Sequence, residues 1–191
     1  MNTRTLYIKN MVCQRCVKVV GDELSRLQLN VDRISLGEVR LSAVPTPEQR
    51  EVIRKVLYSQ GFELIDDKKS RLIARIKTLI IEQIHHGEDL NEEGLTTSAY
   101  LSAELGHDYA YLSKLFSAVE GITIEKYVIH QKIEKAKELL AYGELTIKEI
   151  AWKLGYSSTQ HLSNQFKRVT GLTPTHFKRL KSPLRKPLDK V

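Results

Sequence analysis

Apolar and polar residues follow two different periods along the chain, and the change of period divides it. Residues 5–10 (TLYIKN) are short and β-rich, and Val17, Val20, Leu24 and Leu27 then fall at helical spacing within residues 15–28. The segments VDRISL and EVRLSA alternate apolar and polar residues around Gly37, the pattern of a hairpin. Thr46-Pro47-Glu48 opens a second helix, with Thr46 as N-cap and Pro47 in its first position. The spacing carries that helix to about Ser59, with Val52, Ile53, Val56 and Leu57 inward; Gly61 stops it and FELI supplies a last strand. The order β-α-β-β-α-β predicts a small α+β ferredoxin-like sandwich over residues 1–66.

Beyond the charged junction Asp66-Asp67-Lys68-Lys69-Ser70 the period is helical throughout. Leu72, Ile73, Ile76, Leu79, Ile80 and Ile84 form one face of a helix ending near His86-Gly87. Residues 67–86 thus read as a connecting helix that is also the first helix of a second domain. So short a connection would let the first domain influence the orientation of the helical domain; a plain tether is the alternative. From Leu95 onward helices are expected at about 97–105, 109–119, 123–141, 146–154, 158–169 and 174–180. Residues 87–181 are therefore expected to be all-α, with 182–191 a basic tail.

Within this helical stretch a single phrase occurs twice. Leu112, Ser113, Phe116, Val119, Gly121 and Thr123 return fifty positions later as Leu162, Ser163, Phe166, Val169, Gly171 and Thr173. Each copy follows a looser shared phrase, LSAELG ending at Gly106 and IAWKLG ending at Gly155. Helix, glycine turn and second helix make a helix-turn-helix unit, and two of them on a short chain suit a protein that reads DNA at two adjacent places. Ile150, Ala151, Leu154, Leu162 and Phe166 are spaced to bury one face of the second pair. The long helix between the units, capped by Thr123 with Glu125 in its first turn, would fix their spacing.

Charge sharpens this picture. The net +7 lies wholly in residues 143–191, which hold ten Lys and Arg against three Asp and Glu. A concentrated basic surface attracts a polyanion through counterion release. Lys181, Arg185, Lys186 and Lys190 follow the last helix as a solubilising tail would, but Lys148, Lys153, Lys167 and Arg168 lie within the repeat itself. No run of eighteen apolar residues predicts a membrane span, and MNTRTLYIKNMVCQRC lacks the apolar stretch of a signal peptide, so a cytoplasmic protein without membrane contact is expected.

On these residues the stretch from about 71 to 181 resembles the DNA-binding domain of AraC/XylS-type transcription regulators. The most specific segment is IEKAKELLAYGELTIKEIAWKLGYSSTQHLSNQFKRVTGLTPTHFKR, residues 133–179; the first unit matches more loosely through Gly106, Leu112, Phe116 and Gly121. The resemblance implies that the early and middle positions of 158–169 face the major groove, which points to Thr159, Gln160, His161 and Asn164. Gln and Asn can pair bidentately with adenine, Thr or His can donate or accept at a base edge, and Lys167 and Arg168 suit phosphate. The matching face of the first recognition helix is Tyr109, Ala110, Ser113 and Lys114. Double-stranded DNA is the implied partner, with RNA polymerase and a second copy of the chain as further candidates.

The chain's two cysteines, Cys13 and Cys16, stand in KNMVCQRC between the first strand and the first helix. A helix N-terminus lowers a thiol pKa, and two thiolates suit a soft ion such as Cu(I) better than Zn(II), which wants four ligands. Residues 3–65 resemble heavy-metal-associated domains through strand order and Met11-x-Cys13-x-x-Cys16, although Val12 replaces the usual threonine and Gln14-Arg15 is a bulkier spacer. A thiophilic metal sensor, a thiol redox switch closing a Cys13–Cys16 disulfide, and a structural relic all fit these residues. His85 and His86 could add ligands, though such a pair at a helix end is more often solvated. The expected whole is a DNA-binding regulator, not an enzyme, tuned by a soft metal ion at Cys13 and Cys16. Its rival is a metal-handling or thiol-redox protein whose helical domain docks a protein partner.

Overall fold

The computed structural model describes residues 4–65, 68–87, 96–179 and Leu188. Asp66, Asp67, Lys181 and the three basic residues of the expected tail, Arg185, Lys186 and Lys190, lie outside them. Packing divides the chain between Thr78 and Leu79. The elements of the first unit are β1 (Thr5–Lys9), α1 (Gln14–Arg26), β2 (Val31–Ser35), β3 (Glu38–Leu41), α2 (Pro47–Ser59) and β4 (Glu63–Ile65). The strands form one antiparallel sheet in the order β2-β3-β1-β4, with Leu6 opposite Val39 and Ile8 opposite Leu64. Alternation places Leu6, Ile8, Val39, Leu41 and Leu64 on one face, where Val20 and Leu24 of α1 and Ile53 and Leu57 of α2 cover them. Each such side chain contributes about 1.5–3 kcal/mol on burial.

Local chemistry sets the ends of α2. Thr46 accepts from the Gln49 amide while the Gln49 side chain accepts from the Thr46 amide, a closed capping box with Pro47 behind it. The inward face of α2 is narrower than expected. Val52 points outward, 46% exposed, and Val56 is half-buried, because the sheet takes the Ile53–Leu57 stripe. Gly37, at φ +78°, turns the β2–β3 hairpin, and a Cβ there would come within 3.1 Å of the Thr78 hydroxyl.

Helix α3 (Lys68–Ile81) carries the boundary between the units. Its first turns belong to the sheet's unit, where the Arg71 guanidinium lies 4.9 Å from the Tyr7 ring centroid. Its last turn differs from the regular helix expected: Glu82–His86 widens into a π-helical turn before Gly87.

The second unit continues with α4 (Thr97–Leu105), α5 (Tyr109–Glu120), α6 (Ile124–Tyr142), α7 (Ile147–Lys153), α8 (Thr159–Thr170) and α9 (Pro174–Arg179). The repeat is wider than the shared phrase. Thr96 and Thr146 cap α4 and α7, Thr123 and Thr173 cap α6 and α9, and Gly121 and Gly171 end α5 and α8 in left-handed backbone. Phe116 meets Tyr127 at 5.6 Å between centroids, and Phe166 meets Phe177, fifty positions on, at 5.5 Å. Leu112, Phe116, Ile124 and Tyr127 are buried in the first unit of the pair; Ile133, Leu140, Ile150, Ala151, Leu154, Leu162 and Phe166 fill the second. Among the described residues no helix is long and apolar enough to cross a membrane.

Candidate nucleic-acid interface and thiol pair

Helix α8 starts where Ser158 accepts from the His161 amide at 3.1 Å, and Leu162 and Phe166 fix which side turns inward. At roughly 100° per residue, Gln160, Asn164 and Lys167 then form one stripe opposite the core, and all three are exposed. Gln160 Nε2 donates to Asn164 Oδ1 at 2.9 Å, so the two amides are presented as a pair. Thr159 is exposed in the first turn. His161 and Arg168 are also exposed, on the flank of the stripe next to Asn164. The His161 ring stands edge-on to Tyr156 at 5.2 Å, with Nδ1 3.2 Å from the Ser157 hydroxyl. Arg168 lines a groove of about 650 Å³ between α6 and α8, together with Glu125, Lys126 and His130. Lys167 and Arg168, adjacent in sequence, thus serve different sides.

Counted from Gly106 and Gly155 to the N-caps Asp108 and Ser158, the turn before α8 is one residue longer than that before α5. Tyr156 is buried and its hydroxyl donates to Gln165 Oε1 at 3.0 Å. Burial pushes this phenol well above its ordinary pKa, so it remains a neutral donor.

Helix α5 repeats the plan with poorer chemistry. Asp108 caps it through the Ala110 amide at 2.8 Å. Its outward stripe is Ala110, Lys114 and Ser117, the counterparts of Gln160, Asn164 and Lys167; Ser113 is half-buried on the edge. The Tyr109 hydroxyl donates to Glu125 Oε1 at 2.5 Å, across to the first turn of α6. Burial and this bond push the phenol up, and the bond holds Glu125 below the usual carboxylate range. Ser117 and Tyr111, the latter 48% exposed and 5.4 Å from the His107 ring, join this face without having been expected on it. Aligning the two phrases finds both, since Ser117 matches Lys167 and Tyr111 matches His161.

A buried polar chain ties the π-helical turn to α6. His85 Nε2 lies 2.9 Å from Gln131 Oε1, and Gln131 Nε2 donates to the Tyr127 hydroxyl at 3.0 Å and the Leu188 carbonyl at 3.2 Å. Lys135 Nζ donates to the His85 carbonyl at 3.4 Å. Burial lowers the His85 pKa to about 4. Next to this chain, Lys137 and Glu134 form a buried ion pair at 2.6 Å.

In the first unit Cys13 is the N-cap residue of α1, and its Sγ lies 3.4 Å from Cys16 Sγ. Both are free thiols, since a disulfide would bring the sulfurs to about 2.05 Å. Burial raises the Cys13 pKa, but the amides of Cys16 and Arg15, the Cys16 thiol and the Arg15 charge outweigh it and hold that thiol below its ordinary value. Burial pushes the Cys16 thiol up. Among the described residues no group of three or more His, Cys, Asp or Glu side chains is placed to hold a metal ion, and His85 is turned to Gln131.

Residues 101–180 match the family model described as a helix-turn-helix domain. The chain is 30% identical over 148 residues to the uncharacterized HTH-type transcriptional regulator YtdP of Bacillus subtilis, covering 66% of this chain and 19% of that protein. It is 31% identical over 102 residues to the regulatory protein PocR of Salmonella typhimurium, covering 53% and 32%. The chain thus spans less than a third of the length of these two relatives. Among solved structures, the C-terminal domain of AraT, a response regulator from Geobacillus stearothermophilus, aligns with a TM-score of 0.50 at 28% identity, over 63% of this chain and 95% of that one.

Proposed function

We propose that this chain, whose helical unit is an AraC-type helix-turn-helix DNA-binding domain, is a transcription regulator that reads a specific double-stranded site with α5 and α8. AraC-type proteins are transcription regulators rather than enzymes. The observation that carries the reading is the pair of outward stripes, Ala110-Lys114-Ser117 and Gln160-Asn164-Lys167, at equivalent places on two units that share α6. Gln160 and Asn164 would meet adenine edges, with Thr159 and His161 beside them; Lys167, Arg168 and Lys114 would meet phosphate or guanine. On α5, Ala110 and Ser113 would line the groove wall, and Tyr109 would hold α5 against α6. RNA polymerase and a second copy of the chain are the further partners we assign to such a regulator.

We further propose that the first unit is a ferredoxin-like, heavy-metal-associated type of domain that tunes DNA binding through a thiophilic ion. The two free sulfurs at a helix start suit a two-coordinate soft ion such as Cu(I), and the donor set does not fit a four-ligand zinc site. Cys13 and Cys16 would hold the ion, which when bound keeps both thiols deprotonated. Tuning requires that the ion favour one of two DNA-binding states.

Selection of bound duplexes from a random pool with the full chain, with and without Cu(I) and reductant, tests both proposals. Expected is a site of two half-sites about one helical turn apart, bound with a steep salt dependence. Retention without sequence preference overturns the DNA reading. Unchanged selection together with no Cu(I) uptake in a competition assay overturns the metal reading.

A further inference from the structure

We infer that the groove beside α7, lined in part by the exposed Trp152 indole, is a seat for the sugar–phosphate backbone of a DNA duplex. The inference rests on the reading of α8 as a base-reading helix and adds a second, sequence-independent contact surface beside it.

The groove is about 820 Å³ and is lined by Lys148, Trp152, Lys153, Ser157, Ser158 and Thr159, among others. Trp152 is 67% exposed, while its neighbours Ile150, Ala151 and Leu154 are buried. It stands four residues from Lys148, so cation and indole share the face of α7 opposite the core. The groove ends at Ser158 and Thr159, the N-cap and first residue of α8, so it is continuous with the base-reading helix.

The chemistry fits a nucleic-acid backbone. The exposed face of the indole ring suits a deoxyribose. Lys148 and Lys153 supply positive charge, and Ser157 and Thr159 supply hydroxyls. The one acid in the lining, Glu149, accepts from the Thr146 amide and hydroxyl, both at 2.7 Å, and is thereby turned to the start of its own helix. The first unit serves as an internal comparison. Aligned on Gly106 and Gly155, the places of Lys148, Trp152 and Lys153 are taken by Ala99, Ala103 and Glu104. An aromatic platform flanked by cations is thus built at one unit alone, the one that carries the chain's net charge.

Trp152 is the chain's sole tryptophan, so its emission reports on this groove in the native protein. The full chain is mixed with a duplex recovered by selection, binding is verified by gel shift, and acrylamide quenching is measured on the same samples. Bound duplex should protect the indole from acrylamide. Trp152→Ala should weaken binding to every duplex alike, by about three- to tenfold, with base preference unchanged. Lys148→Ala should flatten the salt slope by about one unit. A bound duplex that leaves quenching unchanged, with Trp152→Ala binding like the parent, overturns the inference while the base-reading role of α8 stands. The same holds if Trp152→Ala keeps DNA affinity but loses transcriptional output, which would assign the groove to a protein partner. If no duplex is retained by the parent chain, both readings fall together.

Discussion

Gln160 and Asn164 stand one turn apart on α8 and are bonded to each other, so on the proposed reading an adenine edge would meet two amides whose rotamers are already restricted. Gln160→Ala should therefore relax preference at one or two base pairs, by about 1–3 kcal/mol of discrimination, read by competition between matched and single-mismatch duplexes. Lys167→Ala should weaken all sequences alike and lower the salt slope by about one, read by titration across salt concentrations. His85 offers a prediction of another kind. Its folded pKa of about 4 lies below the unfolded value, so between about pH 6.5 and 4 the unfolded chain binds the extra proton. Its contribution is intact above that window and falls by up to about 3 kcal/mol as the pH drops through it. Denaturation midpoints at pH 7 and 4.5 should show a larger acid loss for the parent than for His85→Gln.

At the scale of elements, helix boundaries follow from capping side chains that act within a few residues. Thr46, Thr123, Thr146 and Thr173 each accept from an amide three positions on, and such local chemistry is legible in sequence. Thr146→Ala should cost about 1 kcal/mol and Phe166→Ala about 3–5 kcal/mol, both measured by urea denaturation of the full chain. What sequence hid was decided by partners far along the chain. Val52 and Ile53 are adjacent and both apolar, and only the sheet decides that Ile53 turns inward. The π-helical turn at Glu82–His86 and the bond from His85 to Gln131, forty-six positions away, leave no periodic signature. Of the candidate interface, the stripe opposite Leu162 and Phe166 was legible, whereas the groove that Arg168 lines together with Glu125 and Lys126 was not.

Across the helical half, α6 has nineteen residues and so is about 28 Å long, about 6–8 Å less than the 34–36 Å between half-sites on one face of a duplex. Inserting about five base pairs between the half-sites should turn the second away from its reader and reduce binding to that of a single half-site, as measured by footprinting. The repeat announced two helix-turn-helix units in the sequence, and the charge imbalance a basic second one, because both are sums over many positions. The sequence also places a long helix between the two units, and its burial in both cores has a thermal consequence. Ile124 and Tyr127 sit in one core, and Ile133, Ala136 and Leu140 in the other. A rod embedded in both cannot fray at one end without loosening its grip at the other. Heating should therefore melt the paired readers together, as a single cooperative foldon, rather than leave one folded beside the ruins of its twin.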